Sequence, residues 1–114
     1  MPKDPNRQEV ATFIVSEARR NGADELLALA IARSESDLSH KAKNPSSSAS
    51  GVFQFVRNTW QKTCEGSVWD PTENIRCGTK LIAQPGGYFH WDASFDSWYP
   101  LYVKLVLAQS RLRL

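Results

Sequence analysis

A glutamate stands where an apolar helix is predicted to end. The stretch ELLALAIARSES is apolar on most sides and closes with Glu35 and Ser36. Burial disfavours a charged carboxylate, and the negative end of a helix dipole adds to this, so both effects would raise the pKa of Glu35. A carboxyl that stays protonated near neutral pH can donate its proton to a leaving group such as a glycosidic oxygen. The alternative is an exposed residue in the last helical turn.

A serine-rich segment follows this helix and leads to an isolated glutamine. Helical periodicity is absent from residue 37 to residue 51, and Pro45 and the serines around it predict a loop. The loop runs directly into GVFQFV, where Gln54 interrupts an apolar run. A flexible linker seldom continues in this way, so we interpret the segment as a wall opposite Glu35.

Other kinds of catalytic site are poorly represented. His40 and His90 are the only histidines, and neither a nucleophile-elbow motif nor a phosphate-binding loop is present. The spacing of cysteines and histidines does not match a metal site. Carboxylate chemistry is what remains, and the sequence predicts neither a metal nor a cofactor.

Capping signals and apolar periodicity predict the elements that would position these residues. A first helix is predicted within residues 6–22, with Asn6 and Glu9 as a capping box and Gly22 as its stop. The central helix follows within residues 23–36, and a short one covers residues 57–63. A fourth begins at Asp70 and Pro71, with Glu73 closing a second capping box, and ends before residue 85.

The C-terminal part of the chain is harder to interpret. The segment YFHWDASFDSWYP is aromatic and is predicted to be irregular. Pro100 could open a last helix, which is the favoured prediction, although Val103 and Val106 leave a strand possible.

Composition and size limit the classes of protein. The 114 residues, 41% of them hydrophobic, fit one globular domain over residues 1–114. A net charge of +2 without a basic cluster argues against nucleic acid as a partner. No apolar run of membrane-spanning length is evident, and MPKDPNRQEV does not resemble a signal peptide. The chain is then expected to be cytoplasmic, phage-encoded or separated from an export signal.

Two cysteines, Cys64 and Cys77, leave two readings open. One disulfide is favoured, which would place the protein in an oxidising compartment. The alternative is a pair of reduced, buried thiols.

Three ordered motifs resemble the lytic transglycosylase (SLT-like) and goose-type lysozyme superfamily. In that family a helix ends in a catalytic Glu followed by Ser, as Glu35 and Ser36 do here. A loop then leads to Gly-Ala-x-Gly-Leu-Met-Gln, where this chain has Ser-Ala-Ser-Gly-Val-Phe-Gln ending at Gln54. A third block, Asp-Pro-x-x-Asn-Ile-x-x-Gly, matches residues 70–78.

The resemblance implies a mainly α fold, α+β at most, of lysozyme type, with a central helix ending in the catalytic glutamate and a small hairpin or loop lobe. It implies Glu35 as general acid and base, with Ser36 and Gln54 binding the peptidoglycan glycan strand. It also implies an extracytoplasmic protein (periplasmic, secreted or wall-associated) or a phage-derived one, and we expect a monomer. The family's Tyr-Asn-Ala-Gly block is missing, so Tyr88 or Trp91 is predicted to replace its tyrosine or to stack on sugars. The alternative for both aromatics is the core.

The distribution of acids favours a lyase over a hydrolase. A two-carboxylate glycosidase holds its second acid about 5 to 9.5 Å from the first. No Asp or Glu occurs between Asp37 and Glu65, and nothing in the sequence supports Asp92 or Asp96 as that partner. A lytic transglycosylase needs one acid only, because the sugar's own 6-hydroxyl replaces water. A hydrolytic muramidase and a non-catalytic glycan-binding domain remain the alternatives.

Overall fold

The computed structural model describes residues 1–113 and is mainly α. Its elements, in chain order, are α1 (Arg7–Asn21), α2 (Glu25–Ser36), α3 (Arg57–Thr63), α4 (Pro71–Ala83), a 3₁₀ helix (Gly87–Ser94) and α5 (Phe95–Arg113). Within the described residues there is no strand; two isolated β-bridges, Lys43 with Ser50 and Ser50 with Phe55, brace the segment between α2 and α3. The predicted mainly α fold is therefore confirmed, and the small lobe is a braced loop.

Helix α1 begins and ends through local interactions. The Asn6 side chain accepts from the Glu9 backbone N–H at 2.8 Å, and the Glu9 carboxylate accepts from the Asn6 N–H at 3.0 Å. Gly22 ends the helix with a φ of 74°, a left-handed conformation that glycine adopts without steric cost. The predicted capping box and stop are both confirmed.

Helix α2 is central, as its composition predicts. Asp24 caps it by accepting from the N–H groups of Leu26 and Leu27. Its buried residues include four that are completely inaccessible to solvent: Ala28, Ala30, Ile31 and Ala32. The helix packs against α1 on one side and α5 on the other. It ends at Ser36 because Asp37 takes a left-handed φ of 52°.

The start of α4 departs in one detail from the prediction. Asp70 accepts from the Thr72 N–H, and Pro71 is the first helical residue, as expected. Glu73 does not close a capping box; its carboxylate lies 3.5 Å from the Arg76 guanidinium one turn later. A cation at i+3 offers the carboxylate a charged partner in place of the backbone N–H.

Helix α5 begins at Phe95, five residues before Pro100, and the segment predicted to be irregular is a 3₁₀ helix followed by the first turn of α5. Trp98 is 2% exposed, and its indole N–H donates to the Trp91 carbonyl at 2.8 Å. This tertiary anchor holds the turn that precedes Pro100. None of the helices in residues 1–113 has both the length and the apolarity needed to cross a membrane.

A buried asparagine fastens the loop lobe to α4. The Asn74 amide oxygen accepts from the Phe53 N–H at 2.9 Å, and its amide nitrogen donates to the Val68 carbonyl at 2.8 Å. The Phe53 ring lies so close to Gly78 that a Cβ there would be 2.5 Å from the ring. Residues 70–78, which form the third motif, therefore hold the loop lobe that contains Gln54 in place through Asn74 and Gly78.

Replacing Asn74 by alanine should lower the free energy of unfolding by about 2–3 kcal/mol, because buried backbone groups lose their partners. Urea unfolding followed by circular dichroism measures this change. Asn58, an exposed residue of α3, is the matched control, and Asn58→Ala should change stability by less than about 0.5 kcal/mol. Equal midpoints for the two variants would contradict the assigned role.

Cys64 and Cys77 form a disulfide in the structure. Their Cα atoms are 5.7 Å apart, and the bond joins the end of α3 to α4. The closed segment contains the turn that leads to Asp70. A loop of this length constrains the unfolded chain by about 3 kcal/mol.

Candidate active site

Glu35 lies in the last turn of α2, half-buried at the edge of the core. Burial raises the pKa of its carboxyl, and a hydrogen bond from Ser94 opposes that effect without cancelling it. The C-terminal end of the helix dipole also disfavours a second negative charge at this position. The structure thus provides a carboxyl that holds its proton to higher pH than an exposed glutamate does.

The closest polar partner of this carboxyl is the hydroxyl of Ser94. Ser94 Oγ lies 2.7 Å from Glu35 Oε2 and 3.2 Å from the Trp91 carbonyl oxygen. A hydroxyl has one proton and two lone pairs, so it cannot donate to both oxygens at once. When Glu35 is ionised, Ser94 can donate to the carboxylate. When Glu35 is protonated, its O–H can donate to Ser94, which then donates to Trp91.

Ser94 is the last residue of the 3₁₀ helix, and buried tryptophans hold it in place. The Trp91 indole N–H donates to the Phe53 carbonyl at 2.8 Å, which joins the 3₁₀ helix to the loop lobe. The Trp91 carbonyl accepts from Trp98 as well as from Ser94. The loop lobe, the 3₁₀ helix and α5 therefore meet at the carboxyl end of α2.

The hydroxyls of Ser34 and Ser97 connect α2 directly to α5. Ser34 Oγ donates to Ser97 Oγ at 2.7 Å, one residue before Glu35 on α2 and three after Ser94. This contact aligns the first turn of α5 with the last turn of α2, without touching the Glu35 carboxyl.

Gln54 lies in the loop lobe with an unusual backbone conformation. Its φ is 51°, which is uncommon for a residue with a side chain. Its amide nitrogen donates to the carbonyls of Ala42 and Gly51, each at 2.9 Å. No residue in the described part of the chain donates to its amide oxygen, which is thus an available acceptor for a hydroxyl or amide. Its contact with substrate stays a prediction.

The other predicted binding residues lie in different environments. Ser36 is 9% exposed, and its hydroxyl donates to the Ala32 carbonyl of its own helix. Trp91 is 4% exposed and packs against Phe53, so little of its face is open to a sugar. Tyr88 is 36% exposed and packs on Trp98. The structure brings Trp91 close to Glu35 through Ser94, and substrate contacts by these three residues stay predictions.

The three acids that could supply a second carboxylate, Asp37, Asp92 and Asp96, are exposed to solvent. The Asp37 side chain is 70% exposed and lies 3.1 Å from the Arg7 guanidinium. The raised pKa of Glu35 follows from burial, against which the Ser94 hydrogen bond acts.

Sequence reasoning missed Ser94. The missing family tyrosine predicts an aromatic substitute, and Ser94 is not aromatic. The available signal was position: Ser94 follows Trp91 by three residues, which is one turn of a 3₁₀ helix. That spacing becomes useful only once the segment is known to be helical.

A mainly α fold, with a central helix ending in a half-buried acid beside a loop lobe, defines the lysozyme-like class. The family model "Transglycosylase SLT domain" matches residues 12–95, well over half of the chain. The chain belongs to this family, which comprises lytic transglycosylases, glycan lyases acting on peptidoglycan. The resemblance seen in the motifs is confirmed. No curated protein and no solved structure gave a significant match.

Proposed function

We propose that the protein is a lytic transglycosylase that cleaves the β-1,4 bond between N-acetylmuramic acid and N-acetylglucosamine, with Glu35 as its only catalytic acid and base. This proposal rests on the environment of the Glu35 carboxyl. It is half-buried, its pKa is raised by burial, and its hydrogen-bond partner is a neutral hydroxyl.

In the first step the protonated Glu35 carboxyl donates its proton to the glycosidic oxygen. The bond from the muramic acid C1 to that oxygen breaks, and its electron pair leaves with the N-acetylglucosamine hydroxyl. Positive charge develops at C1 and the ring oxygen, as in other glycosidic cleavages. Glu35 is now ionised, and Ser94 stabilises it by donating a hydrogen bond.

In the second step the Glu35 carboxylate takes the proton of the muramic acid 6-hydroxyl. The oxygen of that hydroxyl attacks C1 and forms a 1,6-anhydro ring. The carboxyl regains its proton, so the cycle consumes neither water nor a second acid. Gln54, through its free amide oxygen, supports the proposal as an acceptor that could orient a substrate hydroxyl or N-acetyl group.

The rival reaction is hydrolysis by the same fold. A retaining hydrolase would place a second carboxylate about 5–5.5 Å from the acid, and an inverting one about 6.5–9.5 Å away. The pairing of Asp37 with Arg7 and the exposure of Asp92 and Asp96 to solvent favour the lyase.

Mass spectrometry of purified peptidoglycan after digestion tests the choice between the two reactions. We expect fragments that end in 1,6-anhydro-N-acetylmuramic acid. Reducing ends with one added water would mean that the enzyme is a hydrolase. An Asp37→Asn digest serves as a control and should contain the same products as the parent digest.

We further propose that the enzyme works as a monomer on walls outside the cytoplasm, or as a phage-derived enzyme that reaches them. The family's substrate, peptidoglycan, supports the location.

A further inference from the structure

A groove with a volume of about 630 Å³ runs along the loop lobe and α3. We name it the Trp69 groove. The residues that matter for its chemistry are Lys43, Ser48, Arg57, Trp60, Gln61 and Trp69. Neither Glu35 nor Ser94 lines it, so it is a separate feature from the candidate active site.

The turn between Cys64 and Asp70, which contains Trp69, forms one wall of the groove and is anchored at several points. The Trp60 indole N–H donates to the Gly66 carbonyl at 2.9 Å, and the Val68 carbonyl accepts from Asn74. The Cys64 disulfide holds one end of this turn, and the cap of α4 holds the other. In this setting Trp69 is 44% exposed. An aromatic side chain on a turn anchored in this way loses less backbone freedom when it binds a ligand.

The Trp69 groove contains several hydrogen-bond donors that have no partner among the described residues. Within residues 1–113, the Arg57 guanidinium, the Gln61 amide and the Trp69 indole N–H have no hydrogen-bond or ion-pair partner. The Lys43 ammonium donates to the carbonyls of Asn44 and Ser47, which leaves one of its three protons. No acidic residue lines the groove. Its ligand should therefore carry acceptor oxygens and negative charge.

We propose that the Trp69 groove binds a carboxylate-bearing sugar unit of the glycan strand, apart from the bond that is cut. The partly exposed Trp69 indole suits the apolar C–H face of a pyranose ring, and Arg57 suits a carboxylate on that sugar or on its peptide substituent. The choice of peptidoglycan as the source of this unit rests on the proposed function. The groove then serves as a second binding site for the insoluble polymer. Binding there raises the effective concentration of the strand at Glu35.

Binding is measured with purified insoluble peptidoglycan in a Glu35→Gln background, so that no strand is cut. Trp69→Ala and Arg57→Gln should each raise the dissociation constant about 5- to 10-fold, the effect of losing one aromatic or one charged contact. The controls are Leu107→Ala and Arg111→Gln, an exposed apolar side chain and an exposed cation on α5. Both controls should stay within about twofold of the background protein.

The choice of glycan separates the two contributions. With an uncharged N-acetylglucosamine oligomer, Trp69→Ala should still weaken binding, whereas Arg57→Gln should not. The proposal is overturned if neither groove variant weakens binding to peptidoglycan while both remain folded by circular dichroism. It is also overturned if the Arg57 effect disappears once phosphate-containing polymers are stripped from the wall, because the anion is then phosphate. Digestion products play no part in this assay, so a hydrolase result would leave the groove proposal standing.

Discussion

Glu35→Gln is expected to lower the rate of peptidoglycan cleavage by at least about 100-fold, the lower end of the range for loss of general acid–base catalysis. Glutamine keeps the size and shape of the side chain but can neither donate a proton to the glycosidic oxygen nor take one from the 6-hydroxyl. The decrease in turbidity of purified peptidoglycan measures this rate. Pull-down with the same peptidoglycan should show that binding is retained.

Asp37→Asn is the matched control, because it makes the same chemical change two residues away. Its carboxylate pairs with Arg7 on the surface, so cleavage should continue at the parent rate. Substantial cleavage by Glu35→Gln would remove Glu35 from the mechanism. A comparable loss in Asp37→Asn would instead indicate a second catalytic carboxylate and favour the hydrolase.

The same Glu35→Gln variant should be at least as stable as the parent at neutral pH. Burial raises the Glu35 pKa in the folded protein, so the folded state binds this proton more tightly than the unfolded chain does. Ionisation of Glu35 therefore costs stability as the pH rises from the ordinary glutamate pKa through the raised one. Glutamine removes this cost, and a catalytic group that opposes stability is typical of active sites.

Ser94→Ala is expected to lower the cleavage rate about 10- to 100-fold and to move the basic limb of the pH–activity profile to higher pH. The magnitude follows from the loss of a hydrogen bond to a charged group. The direction follows from the pKa of Glu35, which the Ser94 hydrogen bond lowers and which should rise further without it. An acid with a higher pKa stays protonated to higher pH. Initial rates across a pH series measure both effects.

Ser97→Ala provides the control for Ser94→Ala. It removes a hydroxyl of α5 that is hydrogen-bonded to Ser34, the residue before Glu35 on α2, but that does not touch the Glu35 carboxyl. Its profile should keep the parent shape. Ser94→Thr retains the hydroxyl and should restore most of the rate. If Ser94→Ala lowers the rate without moving the basic limb, Ser94 has only a structural role.

Several features of this protein follow from the sequence because they depend on neighbouring residues. Asn6, Gly22 and Asp24 act within one helical turn, and their effects on α1 and α2 are local. Helix α3 has the predicted limits, although no side chain caps its start at Val56. The end of α2, and hence the place of Glu35 at a buried helix terminus, follows from apolar periodicity that stops at Ser36.

Other features depend on contacts between distant parts of the chain. Helix α5 begins before Pro100 because the packing of Trp98 into the core outweighs the local preference of proline for a first helical turn. The hydrogen bond from Ser94 to Glu35 joins residues far apart in sequence, and no local pattern encodes it. The sequence by itself determined helices α1 to α4 and the family, and it proposed Glu35 as the acid; only the tertiary structure decided where α5 begins and which hydroxyl contacts Glu35. The physical reason is that caps and periodicity act within a few residues, whereas the environment of a carboxyl is set by whatever the fold packs against it.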